Sequence, residues 1–189
     1  HVFNVPLDSV LPEMRQTAKV VNFGIMYGAG PFRMSQELGI PRIEAVAIID
    51  SYFDQYSGIR NYIDSTLEKA RNDKFVETML GRRRPVWDAN SDNGLKRQAA
   101  ERMAINMPIQ GSAAEMIKLA MCSIHNEIVA QKMKSKMVLQ IHDELLFEFP
   151  ESEEELLIKL VVDKMENAMK LSVPLVVDYG IGENWFEAH

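Results

Sequence analysis

Met14-Arg15-Gln16-Thr17-Ala18-Lys19-Val20-Val21-Asn22-Phe23-Gly24-Ile25-Met26-Tyr27-Gly28 is the stretch on which the reading of this 189-residue chain turns. At about 100° per residue, Met14, Ala18, Val21 and Ile25 form one narrow apolar stripe, the buried seam of an amphipathic helix. Arg15, Lys19, Phe23 and Tyr27 recur every fourth residue and drift around the opposite side, centred roughly 150° from the seam. Two cations and two aromatic rings thus share the outward face. Pro12 suits the first turn, Glu13 complements its positive end, and Gly28, Gly30 and Pro31 end the helix. Gly24, at about 1 kcal/mol less favourable than Ala in a helix, makes sense where a backbone or a ligand must come close.

Rings lined up with solvated charges would leave apolar area in water, unless a ligand with both anionic and flat parts covers that face. A nucleoside triphosphate is such a ligand, its phosphates meeting the cations near the helix N-terminus and its sugar or base stacking on the rings. At ~1.5 Å rise per residue the four residues span about 18 Å, enough for both ends of it. Packing of Phe23 and Tyr27 on a neighbouring segment of the same fold is the alternative that spacing leaves open. The run R-x3-K-x3-F-x3-Y-G, with Asn22 before the Phe, also resembles the nucleotide-binding helix in the fingers of family A DNA polymerases, the bacterial DNA polymerase I group.

Charge is distributed unevenly along the chain. The net charge of −6 argues against a nucleic-acid partner, yet residues 1–110 hold fourteen Lys and Arg against thirteen Asp and Glu, and the rest hold seven against fourteen. All ten arginines lie in the first part. That asymmetry suits phosphates held by one region and metal cations by the other. The 47% hydrophobic and 25% charged fractions are those of a soluble globular protein. No apolar run approaches the ~20 residues of a membrane span, and the N-terminus has no signal-peptide pattern, so the expected location is cytoplasmic. The lone Cys122 excludes an internal disulfide and is expected in the core. The chain begins at His1 rather than Met, as a segment cut from a longer protein would.

Downstream, His1–Leu11 reads as a short lead-in, Arg33–Gly39 as a short helix, and Pro41-Arg42-Ile43-Glu44 as the start of a longer one with Ile43, Ala47, Ile48 and Phe53 on its apolar side. Another helix follows Ser57-Gly58. Phe75–Leu80 has strand composition and leads into Gly81-Arg82-Arg83-Arg84-Pro85. Three consecutive arginines cannot share one face, and they suit either a curved phosphate backbone or a merely solvated loop. Asp88–Gly94 is polar and turn-rich, a candidate subdomain boundary.

A helical pattern then runs from Leu95 to about Ala130, with Pro108 expected to bend or split it. Arg102, Asn106 and Gln110 form a stripe of side-chain donors. Minor-groove acceptors sit alike on every base pair, so such donors would test pairing without reading sequence; a hydrogen-bonded helix bend is the alternative. The run Arg102-Met103-Ala104-Ile105-Asn106-Met107-Pro108-Ile109-Gln110-Gly111 resembles the family A helix whose matching Arg, Asn and Gln touch the primer-template minor groove.

In Met137-Val138-Leu139-Gln140-Ile141-His142-Asp143-Glu144-Leu145-Leu146-Phe147-Glu148-Phe149, two apolar strands flank an acidic pair, which predicts a tight hairpin with Asp143-Glu144 at its tip. Adjacent carboxylates there hint at a bound cation, although acidic tips are also ordinary surface. His-Asp-Glu between apolar strands resembles the third polymerase motif of the same family. An acidic helix start at Pro150–Glu153 precedes a buried side of Leu156, Leu157, Leu160, Val161, Lys164, Met165 and Ala168. Val173–Tyr179 reads as a final strand, and Gly180–Trp185 resembles the usual family ending.

The resemblance covers nearly all of Phe3–Phe186 and implies an α+β fold, mainly helical: fingers over residues 1–93, then the C-terminal part of the palm over 94–189 with a small antiparallel sheet. It implies attack of a primer 3′-hydroxyl on the α-phosphorus of a deoxynucleoside triphosphate, in replication and repair, with two Mg²⁺ ions as cofactors. Catalytic roles fall to Asp143, Glu144, Lys19 and Arg15, with Asp143 a metal ligand. Nucleotide contacts fall to Arg15, Lys19, Phe23 and Tyr27. DNA contacts fall to Arg33, Arg82, Arg83, Arg84, Arg102, Asn106, Gln110 and His142. The implied partners are primer-template DNA, deoxynucleoside triphosphates and the remaining thumb and palm of a monomeric bacterial polymerase at the nucleoid. One departure is large, because the family's second metal-bridging carboxylate lies in an Asp-Tyr-Ser strand motif that these 189 residues do not contain. The isolated chain is therefore expected not to polymerise. A non-enzymatic nucleic-acid-binding module is the rival class; a metal phosphohydrolase built on His142-Asp143 lacks further ligand-spaced histidines.

Overall fold

Pro12 opens helix α1 (Pro12–Met26), where its missing N–H leaves no helical bond unmade. The computed structural model describes residues 6–188, so the first five residues of the expected lead-in lie outside the described residues. Helix α1 ends on a paired cap: the Gly28 N–H donates to the Ile25 carbonyl (3.0 Å) and the Ala29 N–H to that of Gly24 (2.8 Å). This cap puts residue 28 at φ +74°, a conformation that glycine adopts without strain.

Helices α2 (Pro31–Leu38), α3 (Arg42–Gln55) and α4 (Ser57–Asp73) follow. Val21 and Ile25 of the α1 seam are buried with Met34, Ala45 and Tyr52 in one core cluster. Gly24 lets α2 come near, since a Cβ there would lie 3.0 Å from the Met34 methyl. The buried side of α3 differs from the expected one: Ala45 and Tyr52 are inside, whereas Ile43 is 78% exposed. The Tyr52 hydroxyl donates to Asn22 Oδ1 (2.7 Å), a tie to α1 that no hydropathy pattern counts.

Strands β1 (Phe75–Glu77) and β2 (Arg83–Pro85) pair antiparallel, with Val76 opposite Arg84 and Glu77 opposite Arg83. Asn93 starts helix α5 (Gly94–Ala130) by accepting the Leu95 and Lys96 N–H groups on Oδ1, at 3.0 and 3.2 Å. Helix α5 is not split: it runs 37 residues with Pro108 inside it. Pro108 has no N–H for the Ala104 carbonyl, and the Tyr62 hydroxyl donates to the next carbonyl, Ile105 (2.9 Å).

Two compact units divide the chain, His1–Gly111 and Ser112–His189, so the division falls within α5. In the second unit, hairpin β3 (Lys136–Ile141) and β4 (Glu144–Glu148) and helix α6 (Glu154–Glu166) complete the framework, with a short α7 (Trp185–Ala188). Ala120, Ile124, Ile128, Leu157 and Leu160 are its core, and Met137, Leu145 and Phe147 lay one face of the hairpin on it. Cys122, expected inside, is exposed, because the buried positions of α5 here repeat every fourth residue from Ala120 and leave 122 facing away. Val173–Tyr179 forms no strand with the described residues, and Val173, Val176 and Tyr179 are exposed. A strand exists only through a neighbour's hydrogen bonds, which composition does not supply. The fold is α+β and mainly helical, with two small antiparallel sheets. Among the described residues no helix is long and apolar enough to cross a membrane.

Candidate functional site

The outward face of α1 carries the side chains that its periodicity assigns to it. Arg15, Lys19 and Phe23 are exposed and Tyr27 is half-buried. Phe23 and Tyr27 stack on each other, ring centroids 6.2 Å apart and planes 12° from parallel. A depression of about 360 Å³ beside them is lined from α1 by Gln16, Lys19, Val20, Phe23, Gly24 and Tyr27, and otherwise by Ala29, Arg33 and Glu37. Arg15 lies outside that lining, on the same exposed ridge one turn nearer the N-terminus. The lining is mainly apolar and holds two cations, Lys19 and Arg33, and one carboxylate, Glu37.

Arg33 and Glu37 show what the sequence reading missed. The Arg33 Nε donates to Glu37 Oε1 at 2.6 Å, so this cation is steered by its own carboxylate. Their i, i+4 spacing was the available signal. Nothing in the spacing said that α2 would bring both to the depression on α1.

Gly28 joins this ridge to the stripe on α5. A Cβ at Gly28 would lie 3.4 Å from Arg102 Cγ and 3.4 Å from Ile105 Cδ1. Arg102 and Gln110 are exposed, while Asn106 is half-buried, its Oδ1 shielded from solvent without a hydrogen-bond partner. A shielded acceptor left unpaired costs about 1–3 kcal/mol.

The arginine run is divided by its local structure. Arg82 sits in the turn after β1, and Arg83 and Arg84 lie on β2. The Arg83 guanidinium covers the Phe75 ring (4.5 Å) and its Nε is 3.4 Å from Glu77 Oε2. Lys69 also bonds Glu77, and that hydrogen bond is the main cause that holds the Glu77 carboxyl below the usual range.

In the second unit the acidic hairpin differs by one residue from its expected form. Ile141 pairs with Glu144, so the two-residue tip is His142-Asp143 and Glu144 is the first residue of β4. The turn's positive φ is carried by His142 at +54°. An irregularity between Met137 and Leu139 shifts the ladder register, which alternation alone does not show. The Gln140 side-chain amide donates to the His142 carbonyl (3.0 Å), and His142, Asp143 and Glu144 are all exposed.

The family model for DNA polymerase family A matches residues 1–187. The chain belongs to this family. It is 48% identical over 187 residues to the thermostable DNA polymerase I of Thermus thermophilus, covering 99% of this chain and 22% of that protein. Against DNA polymerase I of Bacillus subtilis it is 44% identical, with 99% and 21% covered. A solved structure, the POL domain of Pol1 from M. smegmatis in complex with DNA primer-template and dNTP, superposes with a TM-score of 0.96 at 43% identity, over 99% of this chain and 33% of that one. This family A chain thus spans about a fifth of the length of the curated relatives it matches.

Proposed function

We propose that this chain is the fingers and C-terminal palm portion of a bacterial DNA polymerase that adds deoxynucleotides to a primer 3′ end, in replication and repair. The observation that carries the reading is the exposed ridge of α1, with its cations, its stacked ring pair and the depression alongside. In this reading Arg15 and Lys19 hold the β and γ phosphates, and Phe23 stacks on the incoming sugar and base. Tyr27 closes the pocket beside the template. Arg33 and the Arg82–Arg84 cluster hold template phosphates. Arg102, Asn106 and Gln110 donate to minor-groove acceptors, a role supported by the exposed positions of Arg102 and Gln110 on α5. His142 supports the primer end. The fingers are residues 1–93 and the palm portion 94–189; the first half of α5 packs in the first unit while carrying the minor-groove stripe. Acting on DNA, the full protein is a monomer working in the cytoplasm at the nucleoid.

The donor set suits magnesium. Among the described residues no three His, Cys, Asp or Glu side chains gather as a metal cage. Mg²⁺ needs no such cage, being held by one or two carboxylates together with substrate phosphates and water. Asp143, exposed at the hairpin tip, would be the direct ligand, with Glu144 next to it in the chain. When bound, the two ions lower the charge barrier to attack on the α-phosphorus and to departure of pyrophosphate. The chain's own part is to present the Asp143 carboxylate on a short hairpin packed against α5 and α6.

Asp143→Asn in the full-length polymerase tests the assignment. Turnover falls by several orders of magnitude in primer extension while affinity for primer-template changes little; a variant that keeps its turnover overturns it. Because the Asp-Tyr-Ser carboxylate is not among these residues, the 189-residue chain alone extends no primer in Mg²⁺.

A further inference from the structure

Thr78 fixes the turn between β1 and β2 in place. Its N–H donates to the Arg82 carbonyl (2.9 Å), its carbonyl accepts the Gly81 N–H (3.0 Å), and its Oγ1 accepts the Arg82 N–H (3.1 Å). The side chain is 4% exposed, and its methyl sits so near α5 that a Cβ on Gly111 would lie 2.6 Å from it. The turn is therefore held at both its backbone and its base. What it displays is unusual, since turn positions favour polar residues and glycine. Met79 is 64% exposed and Leu80 55% exposed. Arg82, Arg83 and Arg84 follow this apolar tip directly in the chain, and Lys69 and Arg83 engage the carboxylate of Glu77. A rigid apolar tip beside a run of three arginines fits a partner with a dense negative backbone and apolar surface between its charges.

We infer that Met79 and Leu80 are a preformed apolar contact for duplex DNA, lying against sugar faces and base edges in a groove while the neighbouring cations hold the flanking phosphates. This rests on the polymerase reading above and adds a non-ionic term to it. The arginines account for attraction to any polyanion. The tip accounts for a fixed distance of approach, because apolar side chains gain only where water is expelled. The competing occupant is an acidic protein surface.

The two terms separate by salt. Displacement of counterions makes the ionic term fall as salt rises, with a slope of log K on log[salt] near −0.9 per phosphate contact, whereas the apolar term leaves the slope alone. The full-length protein is titrated against a fluorescein-labelled primer-template duplex by anisotropy at several NaCl concentrations. The double variant Met79→Gln, Leu80→Gln keeps side-chain size at exposed positions and is expected to bind roughly five- to tenfold more weakly at every salt concentration with the slope unchanged. Arg84→Gln is expected to make the slope shallower by about one contact. A double variant that binds as tightly as the parent overturns the inference. So does one with unaltered DNA binding and a lower melting temperature, because the tip then lies against protein. Failure of the unsubstituted protein to bind DNA would sink the polymerase reading itself, a different result from either.

Discussion

His142 bears the conformational cost of the acidic hairpin. A non-glycine residue in left-handed space is strained by about 1–2 kcal/mol, and such strain is tolerated where geometry at a site matters more than stability. With φ at +54°, His142 delivers Asp143 to the tip and lets Glu144 enter β4. We predict that His142→Gly stabilises the protein by about 0.5–1 kcal/mol in chemical denaturation, glycine's own entropy taking back part of the relief. Primer extension by the full-length variant falls, since the imidazole is gone; a destabilised variant contradicts the assignment of strain. At this scale much was legible. Arg15, Lys19 and Phe23 lie on the exposed side that their spacing assigns to them, because helical periodicity is local. The tip lies one residue from its expected place because register depends on the irregularity at Met137–Leu139 and on which hairpin face packs on α5 and α6.

Single glycines set how closely elements approach. Gly111 lies within a helix, where alanine is worth about 1 kcal/mol more, so propensity alone favours Gly111→Ala. The Thr78 methyl, 2.6 Å from the added carbon, belongs to a buried β-branched side chain whose hydroxyl is bonded to the Arg82 N–H, and it cannot swing aside. Overpacking of this kind costs typically 1–3 kcal/mol, so repulsion wins. The expected outcome is a net loss of about 1–2 kcal/mol in thermal unfolding, with weaker DNA binding as the arginine-bearing turn shifts; a stabilised variant would show that the turn is free to move. Helices α1, α2, α4 and α6 were readable from caps and periodicity. Strand β2 was not, since Arg83-Arg84-Pro85 has no strand composition and forms only against β1. Helix α5 passed through Pro108 for a related reason, because a long helix packed in two cores retains more than one lost bond removes.

Across the whole molecule, three carboxylates held below their ordinary range contribute to its response to acid. Lys69 chiefly holds the Glu77 carboxyl low. The Gln131 amide, then Lys164, do so for Glu127. The Lys134 N–H, then the Ser135 hydroxyl, do so for Glu153. Each folded carboxyl sits below the ordinary value of 4.5, so the unfolded chain binds more protons near that pH. Their contribution is complete above about pH 4.5 and is lost as pH falls through the lowered folded values. Denaturation measured from pH 7 to 3 is expected to show that acid limb, and Glu153→Gln to make it shallower; an unchanged limb would remove Glu153 from the account. The sequence by itself determined the face of α1, the uneven spread of charge and the family likeness, because periodicity, charge and motif wording reside in neighbouring residues. Only the tertiary structure decided that Arg33 and Glu37 come to the depression on α1, that Cys122 faces outward and that Val173–Tyr179 forms no strand with the described residues. Those outcomes depend on contacts between residues far apart in the chain, and no local pattern encodes which partner arrives.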